Sequence, residues 1–337
     1  MRESLVDRGA IERLFVVAGA LRSGIVDVLA EREPVTAAEV AAAAGIDPRA
    51  TEIVVEALVA EKLVDREGPV PEPPVRGGAP NNSGDAALYR LSARGRSHLV
   101  DPGPELERWG LLHQARKARG WLELPEFIRT GVPIPRDPVD RDIKTMVSAM
   151  GERDPDIIEE VVDRCLAYAP HIRTMIDVGG AVGHLARQFT RCGVRATLFD
   201  RPAVLPLARE YLGEEGRDIA LLAGDFTAEL PLGPFDLIYF GNVFHIYSPE
   251  TNARVIRGAY SAVSPGGALV IQDYVWGRSA RGAMFAINML QATEDGGVWS
   301  EAQHREWLNS AGFAKIEVLD LETAGTQLVL ATRPLEG

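Results

Sequence analysis

Apolar residues recur at helical spacing between Ile11 and Leu29: Ile11, Leu14, Phe15, Ala18, Leu21, Ile25, Val28 and Leu29 share one stripe. That periodicity predicts a single amphipathic helix. In the following Pro34-Val-Thr-Ala-Ala-Glu, Thr36 stands as an N-cap with Glu39 three residues on, the pattern of a capping box. Gly45 closes that helix as a C-cap, and Asp47-Pro48 opens another that runs to about Leu63. Leu63–Asp65 and Leu88–Ser92 predict two strands of a wing. The Pro- and Gly-rich stretch between them, Gly68 to Gly84, predicts a long mobile loop.

Asp101-Pro-Gly-Pro104 breaks the pattern. Beyond it, amphipathic pieces near Leu106–Thr130 and Ile157–Tyr168 predict a helical middle, with a loop at Gly131–Asp140. Trp109, Trp121 and Phe127 share a face there, better suited to core packing against the next domain than to a substrate box. From Thr174 the texture changes. Met175–Val178, Ala196–Phe199, Phe235–Phe240 and Ala268–Gln272 are short apolar runs, as strands covered on both faces should be. Helical patterns separate most of them. Ile316–Leu321 and Gln327–Thr332 predict a closing antiparallel hairpin.

The expected fold class is therefore α/β. A mostly helical, winged-helix-like domain (1–100) leads through a helical linker (101–170) to a Rossmann-like doubly wound sheet with an antiparallel hairpin at its edge (171–337).

A winged helix invites a DNA-binding reading, and charge argues against it. The chain of 337 residues has a net charge of −12. The would-be recognition helix offers Arg49 and Lys62 against Asp47, Glu52, Glu56 and Glu61, and an acidic helix repels phosphates. A structural or dimerising role fits that domain better. Apolar residues make up 46% of the chain, enough for large cores, yet no run of 18 apolar residues suggests a membrane span. Cys165 and Cys192 are the only cysteines, outside any metal-ligand spacing. The N-terminus lacks a signal-peptide core. The expectation is a cytoplasmic protein with no metal, nucleic-acid or membrane partner.

The strongest chemical signal is Asp177-Val-Gly-Gly-Ala-Val-Gly183 directly after the first strand of the second domain. Glycines there let a ligand approach the backbone, because no Cβ intervenes. Asp200 ends the next strand, where a carboxylate can accept from both hydroxyls of a ribose. A dinucleotide fingerprint would need glycine where Ala181 stands, so the phosphate-cradling spacing is not met and a nucleoside without pyrophosphate is expected. Gly224-Asp225-Phe226 would offer a carboxylate and an aromatic wall to an adenine. Asn242, His245 and Tyr247 leave the fourth strand at its carboxyl end, where ligands of doubly wound folds sit.

Together these residues resemble the class I O-methyltransferases of the plant caffeate and bacterial natural-product type, along nearly the whole chain. The matching segments are Asp177–Gly183, Phe199–Pro202, Gly224–Phe226, Asn242–Tyr247, Ser264–Gly267 and Glu306–Phe313. The resemblance implies S-adenosyl-L-methionine as cofactor, contacted by Gly179, Asp200, Asp225 and Phe226; Asp177, Gly180, Gly183, Arg201, Gly224, Asn242 and Tyr247 are the further candidates for holding it. It implies a homodimer formed through the N-terminal domain and methylation of a small aromatic or polyketide-like metabolite. Met284, Asn288 and Met289, with Phe285, would line a mostly apolar acceptor cavity.

The matches also bring departures. Aligned on the family's HNPGG-like segment, its catalytic histidine falls on Thr293, its lysine near the methionine carboxylate falls on Gly241, and a glutamate steadying the base falls on Leu330. With the base position vacated, His245, Glu294, Asp295 and His304 are the available replacements. His245 is the best placed of them, and His304 is expected on an exposed helix face. Loss of the base also motivates C- or N-methylation, or non-methylating hydroxylase, decarboxylase or cyclase chemistry, and a DNA-reading ligand sensor stands as a third class.

Overall fold

The computed structural model describes residues 6–72, 86–133, 142–152 and 154–335. The chain forms two compact units, Met1–Arg119 and Gly120–Gly337. In the first, α1 (Arg8–Arg22) and α2 (Ile25–Glu31) replace the single helix expected from Ile11 to Leu29. The hydrophobic stripe continues across the junction, but Gly24 adopts φ +79°, a left-handed turn that periodicity cannot signal. A two-residue strand β1 (Val35–Thr36) precedes α3 (Ala37–Ala44), whose N-terminus carries the Thr36/Glu39 capping box and whose end is Gly45 at φ +68°. Then come α4 (Pro48–Ala60), β2 (Val64–Glu67), β3 (Leu88–Leu91) and α5 (Ala93–Leu99). The wing is a three-stranded antiparallel sheet in the order β1-β3-β2. Val17, Leu21, Val26, Leu29, Val40, Val55, Leu58 and Tyr89 form the core of the unit. Most of the Gly68–Gly84 loop and of the Gly131–Asp140 loop lies outside the described residues.

The middle is more divided than its pattern suggests. The expected piece at Leu106–Thr130 is two helices, α6 (Arg108–Leu122) and α7 (Leu124–Thr130), parted where Pro125 removes a backbone donor. Phe127 is buried, whereas Trp109 and Trp121 are half-buried. A helix that the pattern did not reveal, α8 (Ile143–Gly151), precedes α9 (Pro155–Tyr168).

The second unit is built on one seven-stranded sheet. Its elements run β4 (Thr174–Val178), α10 (His184–Arg191), β5 (Arg195–Asp200), α11 (Leu205–Leu212), β6 (Ala220–Ala223), β7 (Phe235–Gly241), α12 (Pro249–Ala262) and β8 (Val263–Asp273). They continue through β9 (Val275–Trp276), α13 (Ala280–Ala292), β10 (Trp299–Ser300), α14 (Glu301–Ala311), β11 (Ala314–Asp320) and β12 (Gln327–Thr332). The strand order is β11-β12-β8-β7-β4-β5-β6. Strands β4 to β8 are parallel, while β12 lies antiparallel between β8 and the edge strand β11.

The central strands divide their side chains between two cores. Met175, Leu198, Leu237, Tyr239 and Val270 pack with α9, α10 and α11; Ile176, Phe199, Ile238, Phe240 and Ile271 pack with α12 and α14. Both faces are covered, and for that reason the strands read as unbroken apolar runs. Parallel pairing also brings the carboxyl ends of β4 to β8 to one edge, where the site is built.

Candidate active site

The turn after β4 is shaped by close contacts. Gly179 has φ +71°, and a Cβ on it would stand 2.8 Å from Val243 Cγ1. A Cβ on Gly180 would meet Asp177 Cγ at 2.4 Å and Leu198 Cδ1 at 2.5 Å. Asp177 itself is buried at the end of β4, beneath this turn. Gly183 begins α10 as its N-cap. Ala181 occupies a left-handed conformation, φ +52°, and its N–H donates to Asp200 Oδ2 at 2.9 Å.

Asp200 closes β5, and its other oxygen accepts from the N–H of Arg201 at 2.7 Å. Burial raises the Asp200 carboxyl above its ordinary pKa, against the pull of those two N–H groups and the Arg201 charge. Gly224, Asp225 and Phe226 follow β6 at the same edge. The Thr227 hydroxyl and N–H hold the Asp225 carboxyl below its usual range. The Phe226 ring stands edge-on to Tyr247 (5.4 Å between centroids) and to Phe240 (6.0 Å). Burial pushes the Tyr247 phenol up; the Asp225 and Asp200 carboxylates push it the same way and Arg201 opposes them. These four polar groups therefore share one electrostatic neighbourhood. Asn242 follows β7 with φ +57°, its N–H bonded to Gln272 O at 2.7 Å.

The turn, the Asp200 carboxylate beside it and the aromatic wall at Phe226 fit a nucleoside. Any side chain at 179 or 180 would fill the cradle or force its neighbours apart. A lysine at Gly241 would not fit unaltered, since a Cβ there would meet the Tyr239 ring at 2.7 Å.

Beside the cradle, His245 lies in the short 3-10 turn Phe244–Ile246. The residue is 8% exposed, and Nδ1 stands 2.9 Å from Asp273 Oδ1 and 3.1 Å from Oδ2. A carboxylate only accepts, so Nδ1 carries a proton, and in the neutral imidazole Nε2 is the acceptor. Among the described residues Nε2 has no hydrogen-bond partner. Phe285 packs edge-on to the imidazole, 4.7 Å between ring centroids, and also against Tyr274. Asn288 and Met289, one turn along α13 from Phe285, are both buried. Gln291 donates to Asn288 Oδ1 at 3.4 Å.

Several sequence expectations change here. Met284, expected to line the acceptor cavity, is 57% exposed, whereas Phe285 packs on His245. The Thr293 hydroxyl donates to Met289 O and accepts from Gly296 N–H, so it caps α13. Glu294 and Asp295 are exposed on the rim of a recess of about 330 Å³ that Tyr247 and Ser248 also line. His304, expected on a solvent face, is fully buried against Trp307, with Nδ1 bonded to Ser300 O. Leu330 is core, and the carboxylate that steadies a histidine is Asp273 instead. The sequence reading missed Asp273. An acid directly after a buried apolar run, the signal that singled out Asp200, was there to find it.

The fold and its domains have counterparts among known proteins. Residues 139–314 match the model of an O-methyltransferase domain, and residues 15–101 that of an O-methyltransferase dimerisation domain. The chain is 26% identical over 325 residues to the tetracenomycin polyketide synthesis 8-O-methyl transferase TcmO of Streptomyces glaucescens, covering 90% of this chain and 88% of the relative. It is 26% identical to the acetylserotonin O-methyltransferase of Bos taurus over 322 residues, 89% of each chain. Among solved structures, human N-acetylserotonin methyltransferase in complex with SAM shares the fold, with a TM-score of 0.71, 23% identity and coverage of 99% and 100% of the two chains. PigF with SAH does so at a TM-score of 0.72 and 23% identity, covering 97% and 100%.

Proposed function

The chain belongs to the O-methyltransferase family, and on that premise we propose that it methylates a hydroxyl of a small aromatic or polyketide-like metabolite with His245 as base. The observation that carries the reading is the buried His245–Asp273 pair at the same sheet edge as the glycine turn. When bound, S-adenosylmethionine supplies an electrophilic methyl group on a sulfonium. The turn at Gly179–Gly183 and the ends of β5, β6 and β7 would hold it: Asp200 accepts from the ribose, Asp225 and Phe226 receive the adenine, and Arg201, Asn242 and Tyr247 complete the wall.

The protein's remaining task is to orient a hydroxyl and remove its proton. His245 Nε2 accepts that proton, and Asp273 stabilises the imidazolium that results; such a base contributes about 10²–10⁴-fold. Holding the oxygen in line for displacement supplies further rate. Phe285 and Met289 offer an apolar wall to an aromatic ring, and the Asn288 amide a polar contact. The C- and N-methylating and non-methylating alternatives drew on the loss of a histidine base, and His245 with Asp273 removes that motive. A homodimer through the N-terminal unit agrees with the acidic face that disfavours DNA.

Purified protein incubated with methyl-tritiated S-adenosylmethionine and a panel of phenols, amines and keto acids tests the reading. Label should appear on a phenolic oxygen. Tight binding of the cofactor with no transfer to any hydroxyl across the panel would overturn it.

A further inference from the structure

Helix α8 ends on Gly151, whose carbonyl belongs to the last turn of a helix and has no partner within it. Two side chains from elsewhere satisfy it. His184 Nε2 lies 2.7 Å from Gly151 O, and the Tyr211 hydroxyl donates to the same oxygen at 3.0 Å. A carbonyl only accepts, so the His184 proton is on Nε2 and Nδ1 faces Arg187 Nη2 at 3.4 Å. The two rings meet edge-on, 4.7 Å between centroids, and the Arg187 guanidinium sits 5.4 Å from the Tyr211 ring. A Cβ at position 151 would stand 3.1 Å from Tyr211 Cε2, so glycine lets the clasp close.

The clasp joins particular elements. His184 is the first residue of α10, directly after the glycine turn, and Tyr211 lies on α11, which follows Asp200. The apolar face of α8 rests on the same two loops. Val147 packs with Val182 and Val204, flanked by Ala181, Leu207, Ile143 and Met146. This small cluster is separate from both large cores of the unit. A segment docked through a small apolar cluster opens more readily than one in a large core, and the two hydrogen bonds at its end add to its attachment.

We propose that His184 and Tyr211 are positioning residues for the cofactor cradle: they clasp α8 over the glycine turn and the Asp200 loop and so slow the escape of the bound nucleoside. The proposal rests on the cofactor reading above. It gives both side chains a role distinct from contact with ligand or with reacting atoms.

Release of S-adenosylhomocysteine from the full-length protein, followed by stopped-flow competition, tests it. A hydrogen bond of ordinary net strength predicts release about three- to tenfold faster in His184→Ala and in Tyr211→Phe. His184→Gln, which keeps a donor, should recover most of the wild-type rate. Single-turnover methyl transfer at saturating cofactor should stay within about twofold, while the KM for S-adenosylmethionine rises with the release rate. Tyr211→Phe keeps the ring stack and loses only the hydroxyl, so it remains informative if His184→Ala fails to fold. Release rates unchanged in Tyr211→Phe and His184→Ala, or release from His184→Gln as fast as from His184→Ala, would overturn the clasp and leave the cofactor reading standing. A wild-type protein that does not bind S-adenosylhomocysteine would overturn both.

Discussion

The Asp273 carboxylate is fixed from two sides: its Oδ1 accepts from the N–H of Tyr274 at 2.8 Å, its Oδ2 from the N–H of His245 at 3.1 Å, and both oxygens face His245 Nδ1. Backbone donors thus hold the acid so that its remaining capacity points at the imidazole. An acid at a strand end becomes an orienting group because the chain returns to it 28 residues away.

Removing either partner should separate chemistry from cofactor binding. His245→Ala is expected to lower kcat by about 10²–10³-fold and Asp273→Asn by a smaller factor, since the base remains while its orientation and charge support are lost. The dissociation constant of S-adenosylhomocysteine, measured by calorimetry, should change by less than about threefold. Full activity in His245→Ala would remove the base from the mechanism.

Gly180→Ala tests the cradle sterically. The new methyl would have to displace Asp177 or Leu198, both packed within the fold. Overpacking of this kind costs about 1–3 kcal/mol. Thermal unfolding should show a lower Tm together with weakened cofactor binding. An unchanged Tm would mean that the turn has more room than its contacts indicate.

Cofactor affinity should depend on pH through Asp200. The ionised carboxylate accepts from ribose hydroxyls far better than the neutral acid. Burial holds its pKa above the ordinary 3.8, so affinity is full above that raised value and falls as pH drops through it, sooner than for an exposed aspartate. Asp200→Asn should bind at least about tenfold more weakly, roughly 1.4 kcal/mol, and lose this dependence. Titrations of S-adenosylhomocysteine across acid pH would show it; parallel curves for both proteins would refute the assignment.

His304 should leave a mark on stability. Burial depresses its pKa below 6.5, opposed by the Ser300 carbonyl and the Asp273 and Glu301 charges. The unfolded chain therefore binds the proton more readily. Stability is fully present above about pH 6.5 and declines as pH falls toward the depressed folded value. His304→Phe should flatten the decline in Tm between pH 7 and pH 5. A slope identical to the wild type would show that another group carries it.

Much of this protein was legible in its order of residues, wherever the deciding interaction is local or periodic. The Thr36 capping box, the Gly45 cap and the short apolar runs of β4, β5, β7 and β8 follow from backbone and side-chain preferences within a few residues. Gly179, Gly180 and Asp200 could be picked out because glycine and acid at the ends of such runs have few other uses. Periodicity, however, says which face of an element is apolar and not what covers it. The burial of His304, the exposure of Met284, the packing of Phe285 on the imidazole, and the fastening of α8 all depend on neighbours distant in the chain. The same holds for Asp273 and His245. A buried charge or imidazole is tolerated only when a partner offsets its desolvation, and where that partner stands is settled by the packing of the sheet and its helices.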